Sequence, residues 1–237
     1  MNKNLLRKIT VTIMLSLAEG AIMTFMGLNI TYSLVISINK SLSSEYAMRY
    51  LLMENIMGDY IEMDKRNILI FFPTFLYLFG GVIIMNFGYL NNDKKNMQLE
   101  LLRCGSCSKM CSLKVKNSYI SLFFYELGYM FMVGQSAINI VSIVYVFICA
   151  AVRVVFLFQV MYYTYYLYRK YNGSIALVGA IIYLMISIII DSMIEEFSIV
   201  SYGVKYRPYI WGMVLNTFGL LVWRYKARAR ITYTQIV

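Results

Sequence analysis

The chain has 237 residues, 60% of them hydrophobic, with 22 basic against 12 acidic side chains and a net charge of +10. So apolar a composition excludes an ordinary soluble domain, and the length leaves no room for a catalytic domain beside the apolar segments, so 1–237 reads as one membrane domain. Nucleic acid is not the partner that the charge implies, because the basic residues flank apolar stretches, where they meet anionic headgroups.

Six stretches are apolar enough to predict helical spans: Ile9–Ile38, Ile68–Leu90, Tyr119–Gln135, Ala137–Tyr168, Ile175–Ile194 and Tyr209–Trp223. About 20 helical residues cross the hydrocarbon core, and a helix satisfies its own backbone where lipid offers no partner. The fold class expected is therefore an all-α membrane protein of six transmembrane helices. Gly134 and Gln135 are the only turn signals between the third and fourth spans. The first apolar run is too long for a signal-peptide core and lacks a small-residue cleavage pattern, so no cleavable leader is expected.

Basic residues fill every second gap. Lys3, Arg7 and Lys8 precede the first span; Lys94, Lys95, Arg103, Lys109, Lys114 and Lys116 follow the second. Arg169 and Lys170 follow the fourth, and Arg224, Lys226, Arg228 and Arg230 follow the sixth. These fifteen face six on the other side, Lys40, Arg49, Lys65, Arg66, Lys205 and Arg207. The positive-inside rule then places both termini in the cytoplasm and predicts a multi-pass protein of the plasma membrane. Abundant Asn, Ile, Lys and Tyr point to an AT-rich, low-GC Gram-positive bacterial genome.

Two connections are long enough to hold structure. In the external one, Asn39–Asn67, the residues Tyr46, Tyr50, Met53, Met57 and Tyr60 recur at spacings of four and three, which predicts an amphipathic helix. It would lie on the outer leaflet or cap a substrate path, with Asp59, Glu62 and Asp64 attracting cations. In the internal one, Asn91–Asn117, the residues Met97, Leu99, Glu100, Leu101, Leu102 and Arg103 predict a short amphipathic helix broken by Gly105 and Ser106. Such a helix lies on the membrane or docks into a groove of a partner.

Glu19, Glu126 and Arg153 fall inside predicted spans, and each costs at least about 2.5 kcal/mol at the bilayer centre unless paired or hydrated. Glu19 and Glu126 lie at similar depths. The long side chain of Arg153 reaches toward a carboxylate, either as an ion pair that orients the bundle or as polar lining of a path. Asp191 falls in the outer headgroup zone.

Enzyme signatures are missing. Without histidine there is no His base, His metal site or His-activated nucleophile, and no phosphate-binding P-loop occurs. Cys104, Cys107 and Cys111 are spaced for metal binding, for packing on one helix face or for acylation. The fourth cysteine, Cys149, lies inside a span. Cytosolic placement implies reduced thiols.

The six spans, internal termini, small size and amphipathic segment after the second span together resemble the permease subunits of ABC-2-type transporters. The run from Leu101 to Lys109, with Arg103, Gly105, Ser106 and Lys109, is similar to the pattern in small Gram-positive permeases of bacteriocin export, lantibiotic immunity and antimicrobial-peptide resistance. The resemblance implies that Met97–Arg103 is the coupling helix on an ABC ATPase. That partner would bind ATP and magnesium, leaving this chain without a cofactor or catalytic residue of its own. It also implies a second permease, identical or homologous, and an amphipathic peptide or lipid-like substrate. Many members carry re-entrant helices between spans five and six; here that connection, from Glu195 to Arg207, is short. The alternative is a non-transporting immunity or sensor subunit that binds a peptide or a signalling partner.

Overall fold

In the computed structural model the described residues are 3–38, 72–90, 94–134, 140–171, 173–193, 203–204, 207–208 and 210–229. The expected external helix within 39–67 lies outside them, as does Gln135, one of the two expected turn signals; the other, Gly134, is the last residue of the helix that begins at Cys107. The described chain is helical: α1 (Lys3–Ile38), α2 (Phe72–Leu90), α3 (Lys94–Cys104), α4 (Cys107–Gly134), α5 (Ile140–Lys170), α6 (Gly173–Met193) and α7 (Ile210–Arg228). One long helix thus stands on each of the six apolar stretches, and α3 stands on the internal amphipathic segment. A two-residue ladder is the departure from an all-helical chain: β1 (Gly203–Val204) pairs antiparallel with β2 (Arg207–Pro208) in the connection between α6 and α7.

Among the described residues, two helices are long and apolar enough by themselves to cross a membrane, through Thr10–Gly27 of α1 and Gly173–Ile190 of α6. Helix α4 begins well before the apolar stretch at Tyr119, because its first turns take up the basic run from Ser108 to Lys116. Gly105, at φ 70°, sits between α3 and α4 in the left-handed region that glycine enters without strain. Ser106 then caps α4, its hydroxyl accepting from the Lys109 amide at 3.2 Å.

Side-chain contacts fix the helix directions. Ser118 donates to the Met85 carbonyl at 2.6 Å while Tyr125 donates to that of Tyr77 at 2.6 Å, so α2 and α4 run antiparallel. Tyr119 packs on Phe158, with ring centroids 4.5 Å apart, and Arg153 reaches Tyr129, so α4 and α5 are antiparallel too. Gln159 donates to Tyr183, and Leu167 lies against Gly179, which makes α6 antiparallel to α5. Gly219 abuts Gln159, Trp223 packs on Tyr163, and Arg169 holds the carbonyls of Ala227 and Ala229, so α7 runs parallel to α5. Helices α2, α4, α5 and α6 therefore alternate in direction along the chain, and α7 opposes α6.

Helix α1 packs on α4 by backbone approach. A Cβ at Gly20 would strike the Tyr125 carbonyl, and one at Gly128 would strike that of Leu17. Ser16 and Thr24, buried one turn before and one turn after Gly20, complete a stripe of small residues at spacing four, the pattern that brings helices into close contact. Their hydroxyls donate to Thr12 and Gly20 carbonyls one turn back, so they need no water.

Polar side chains are set into an otherwise apolar interior, and large apolar side chains face outward. Asn86, Glu126, Arg153, Gln159, Thr164 and Asn216 are buried, whereas Phe25, Phe123, Phe131, Ile182, Phe218 and Leu221 are exposed. Exposed apolar patches of this extent require a cover.

The glycine contact generates a stability test. Gly128→Ala should lower the stability of purified protein in mild detergent by about 1–3 kcal/mol, as overpacking does. Gly105→Ala, which meets nothing within 4 Å, should cost only the strain of its φ. A Gly128→Ala variant that unfolds at the wild-type temperature would contradict the close α1–α4 approach.

Candidate functional site: a buried arginine cluster and the basic end of the bundle

Arg153, on α5, is 1% exposed, and Glu126, on α4, is 8% exposed. A guanidinium cannot shed its proton, so burial demands donors' partners and π faces instead of water. Both are supplied by tyrosines that the sequence does not single out. The Arg153 Nη2 donates to the Tyr129 hydroxyl at 3.1 Å, and its guanidinium carbon lies 5.0 Å from the Tyr77 ring centroid and 5.1 Å from that of Tyr129. Such cation–π contacts are worth about 2 kcal/mol when desolvated. Tyr77 donates its hydroxyl to Glu126 Oε1, and Glu126 is close enough to Arg153 to interact electrostatically. Glu126 Oε2 is buried with no hydrogen-bond partner. Tyr77 is thus shared: its ring faces the cation and its hydroxyl serves the carboxylate.

Of the two carboxylates expected near this arginine, the structure brings Glu126 into the cluster. Glu19 lies half-buried on α1 beside the Gly20 contact, level with Glu126 because Gly20 abuts Tyr125, and within electrostatic reach of Tyr125. The spacing of four between Tyr125 and Tyr129 beside Glu126 is a signal for Tyr129, and no local signal points to Tyr77. Asp191 and Cys149 have side chains outside the described set.

The second assembly is at one end of the bundle. The helix directions bring together α3, the start of α4, the ends of α5 and α7 and the start of α6. Described basic side chains here are Arg103, Lys109, Lys114, Lys116, Arg169, Lys170, Arg224, Lys226 and Arg228; the one described acid here, Glu100, pairs with Lys114 at 2.9 Å. Arg169 caps α7, donating to the Ala229 carbonyl at 2.8 Å and to that of Ala227, which satisfies two of the last carbonyls of that helix.

Helix α3 is amphipathic, as its sequence predicts, but the division falls within the expected coupling residues. Leu101 and Cys104 pack on the core, and Glu100 is tied to α4 by Lys114. Leu99, 50% exposed, Leu102, 71% exposed, and Arg103 form the outward face at spacings of three and four. Met97 lies two residues earlier on the same helix. A groove of about 330 Å³ between α3 and α4 is lined by Glu100, Arg103, Cys104, Met110, Leu113 and Lys114, among others.

The three neighbouring cysteines are free thiols, Cys107 and Cys111 buried and Cys104 partly so. No group of three His, Cys, Asp or Glu suited to a metal ion occurs among the described residues. Burial pushes the Cys111 thiol up, with Arg228 and Arg169 pulling it part of the way back. Thiolate is scarce there at neutral pH, which suits packing rather than reactivity.

No family model, no curated protein and no solved structure matches this chain.

Arg153→Met should cost about 3–5 kcal/mol, since it strands a buried carboxylate. Adding Glu126→Gln should recover part of that loss. Unfolding of the single and double variants in detergent measures the coupling, and strictly additive losses would exclude an interaction between the two groups.

Proposed function

We propose that this chain is a multi-pass subunit of the bacterial plasma membrane and the permease half of an ATP-driven transporter. ATP is hydrolysed on a separate cytosolic subunit, a second permease completes the path, and the cargo is an amphipathic peptide or lipid-like molecule. Three observations support the membrane placement. Six long helices stand on six apolar stretches, large apolar side chains face outward around a core that holds buried polar groups, and basic residues gather at one end of the bundle. That end faces the cytoplasm under the positive-inside rule.

The observation that carries the transporter reading is the outward face of α3. Leu99 and Leu102 are apolar, exposed and flanked by Arg103, on a helix clamped to α4 by the Glu100–Lys114 pair and by Leu101. A short helix fixed so firmly moves with the spans on either side, so a partner that grips it tilts α2 and α4. Transport cycles need such a lever between nucleotide hydrolysis and the membrane path.

Co-expression with the product of a neighbouring P-loop ATPase gene and purification in mild detergent tests this. The ATPase should co-purify with the wild-type chain. Leu99→Asp combined with Leu102→Asp should reduce its recovery at least about tenfold, equivalent to ~1.4 kcal/mol. Undiminished recovery with the double variant would refute the lever, and capture of a sensor kinase in place of an ATPase would favour the immunity or sensor reading.

A further inference from the structure

Where α5 and α7 end side by side, an aromatic and basic patch sits on the outside of the bundle. Lys170 closes α5 and is fully exposed; its ammonium lies 5.2 Å from the Tyr171 ring centroid and interacts with Tyr166. Tyr166 packs on Trp223 of α7 at 5.7 Å between ring centroids. The Lys226 ammonium lies 4.8 Å from the Trp223 ring centroid and is exposed. One continuous chain of contacts thus joins Lys170, Tyr166, Trp223 and Lys226 across the seam. Exposed Leu215 lies about three turns below Lys226 on the same stripe of α7, while exposed Phe218, Leu221 and Tyr225 lie on another face of that helix.

Each part of this arrangement points to the same occupant. The rings orient two ammonium groups that would otherwise sweep through solvent, and no carboxylate among the described residues at this end is left to neutralise them, since Glu100 serves Lys114. Trp and Tyr favour the depth of the headgroups, where a charged phosphate and the ends of the acyl chains meet. Resting on the membrane placement above, we propose that the α5–α7 seam is a binding site for the phosphate headgroup of an anionic phospholipid, held by Lys170 and Lys226 with Trp223 between them. The charge of the headgroup sets the preference: a zwitterionic lipid brings its own cation to the lysines, and an anionic one does not. Each lysine near an anionic surface is worth about 1 kcal/mol, or a roughly fivefold preference.

The chain carries two tryptophans, Trp211 and Trp223, so Trp211→Phe leaves Trp223 as sole reporter within the site. The full chain with that substitution is reconstituted into vesicles of phosphatidylcholine containing either brominated phosphatidylglycerol or brominated phosphatidylcholine at the same mole fraction. Quenching of Trp223 should report a preference for the phosphatidylglycerol of at least roughly fivefold in relative binding constant. Lys170→Gln with Lys226→Gln should bring the two lipids to parity. Lys109→Gln with Lys116→Gln, which removes the same charge at the same end but away from the seam, should leave the preference in place. Equal quenching in the parent protein, or equal loss of preference in both double variants, would overturn the site. Loss of the preference on adding inorganic phosphate would assign the lysines to free phosphate instead and also overturn it. Absence of quenching by either lipid would instead place Trp223 outside the bilayer and contradict the membrane placement itself.

Discussion

A guanidinium that is 1% exposed has to be satisfied from within the protein, and Arg153 sets the terms for the centre of this bundle. Its partners come from two other helices: Tyr77 from α2, Tyr129 from α4, and Glu126 from α4 through the Tyr77 hydroxyl. Losing any one leaves a buried polar group stranded, which costs more than the intact contact contributes. The cluster therefore selects one mutual arrangement of α2, α4 and α5. In the proposed membrane setting the selection is stronger, because lipid offers the arginine no alternative.

Around this centre, two kinds of contact order the rest. Helix α1 is held by shape, through glycines that let two backbones touch. Helix α7 is held by stacking and capping, through Trp223 on the α5 tyrosines and Arg169 on the final carbonyls. Both add close approach or polar contacts to apolar packing, which on α7 includes Leu220, Trp223 and Ala227. That is the kind of packing expected when the surroundings are as apolar as the side chains, and close approach and polar contacts must supply the attraction.

Much of the architecture was legible in the sequence because helix length and apolarity are local properties. Each apolar stretch carries a helix, Gly105 marks the break after α3, and the internal amphipathic segment is the helix it was expected to be. What was not legible is pairwise. Arg153 and Glu126 are 27 positions apart, and nothing in either neighbourhood names Tyr77 as the residue that would join them. The inward turn of Leu101 against the outward turn of Leu102 depends on the angle at which α3 meets α4, which the Glu100–Lys114 pair fixes from 14 positions away. The stripe of Ser16, Gly20 and Thr24 is not singled out by the sequence, because its partner, Gly128, becomes evident only once α1 and α4 are side by side.

The basic end of the bundle concentrates what the proposed function needs: the exposed face of α3, the groove beside it and the lysine–tryptophan seam. All of these acquire meaning only if that end lies in the cytoplasm. The direct measurement is accessibility of a single cysteine placed at exposed Ser108, in a chain whose four native cysteines are replaced by serine, to a membrane-impermeant maleimide. The account predicts no labelling when the reagent is added to intact cells and full labelling once the cells are permeabilised. Labelling in intact cells would turn the bundle over, and with it the lever and the lipid site.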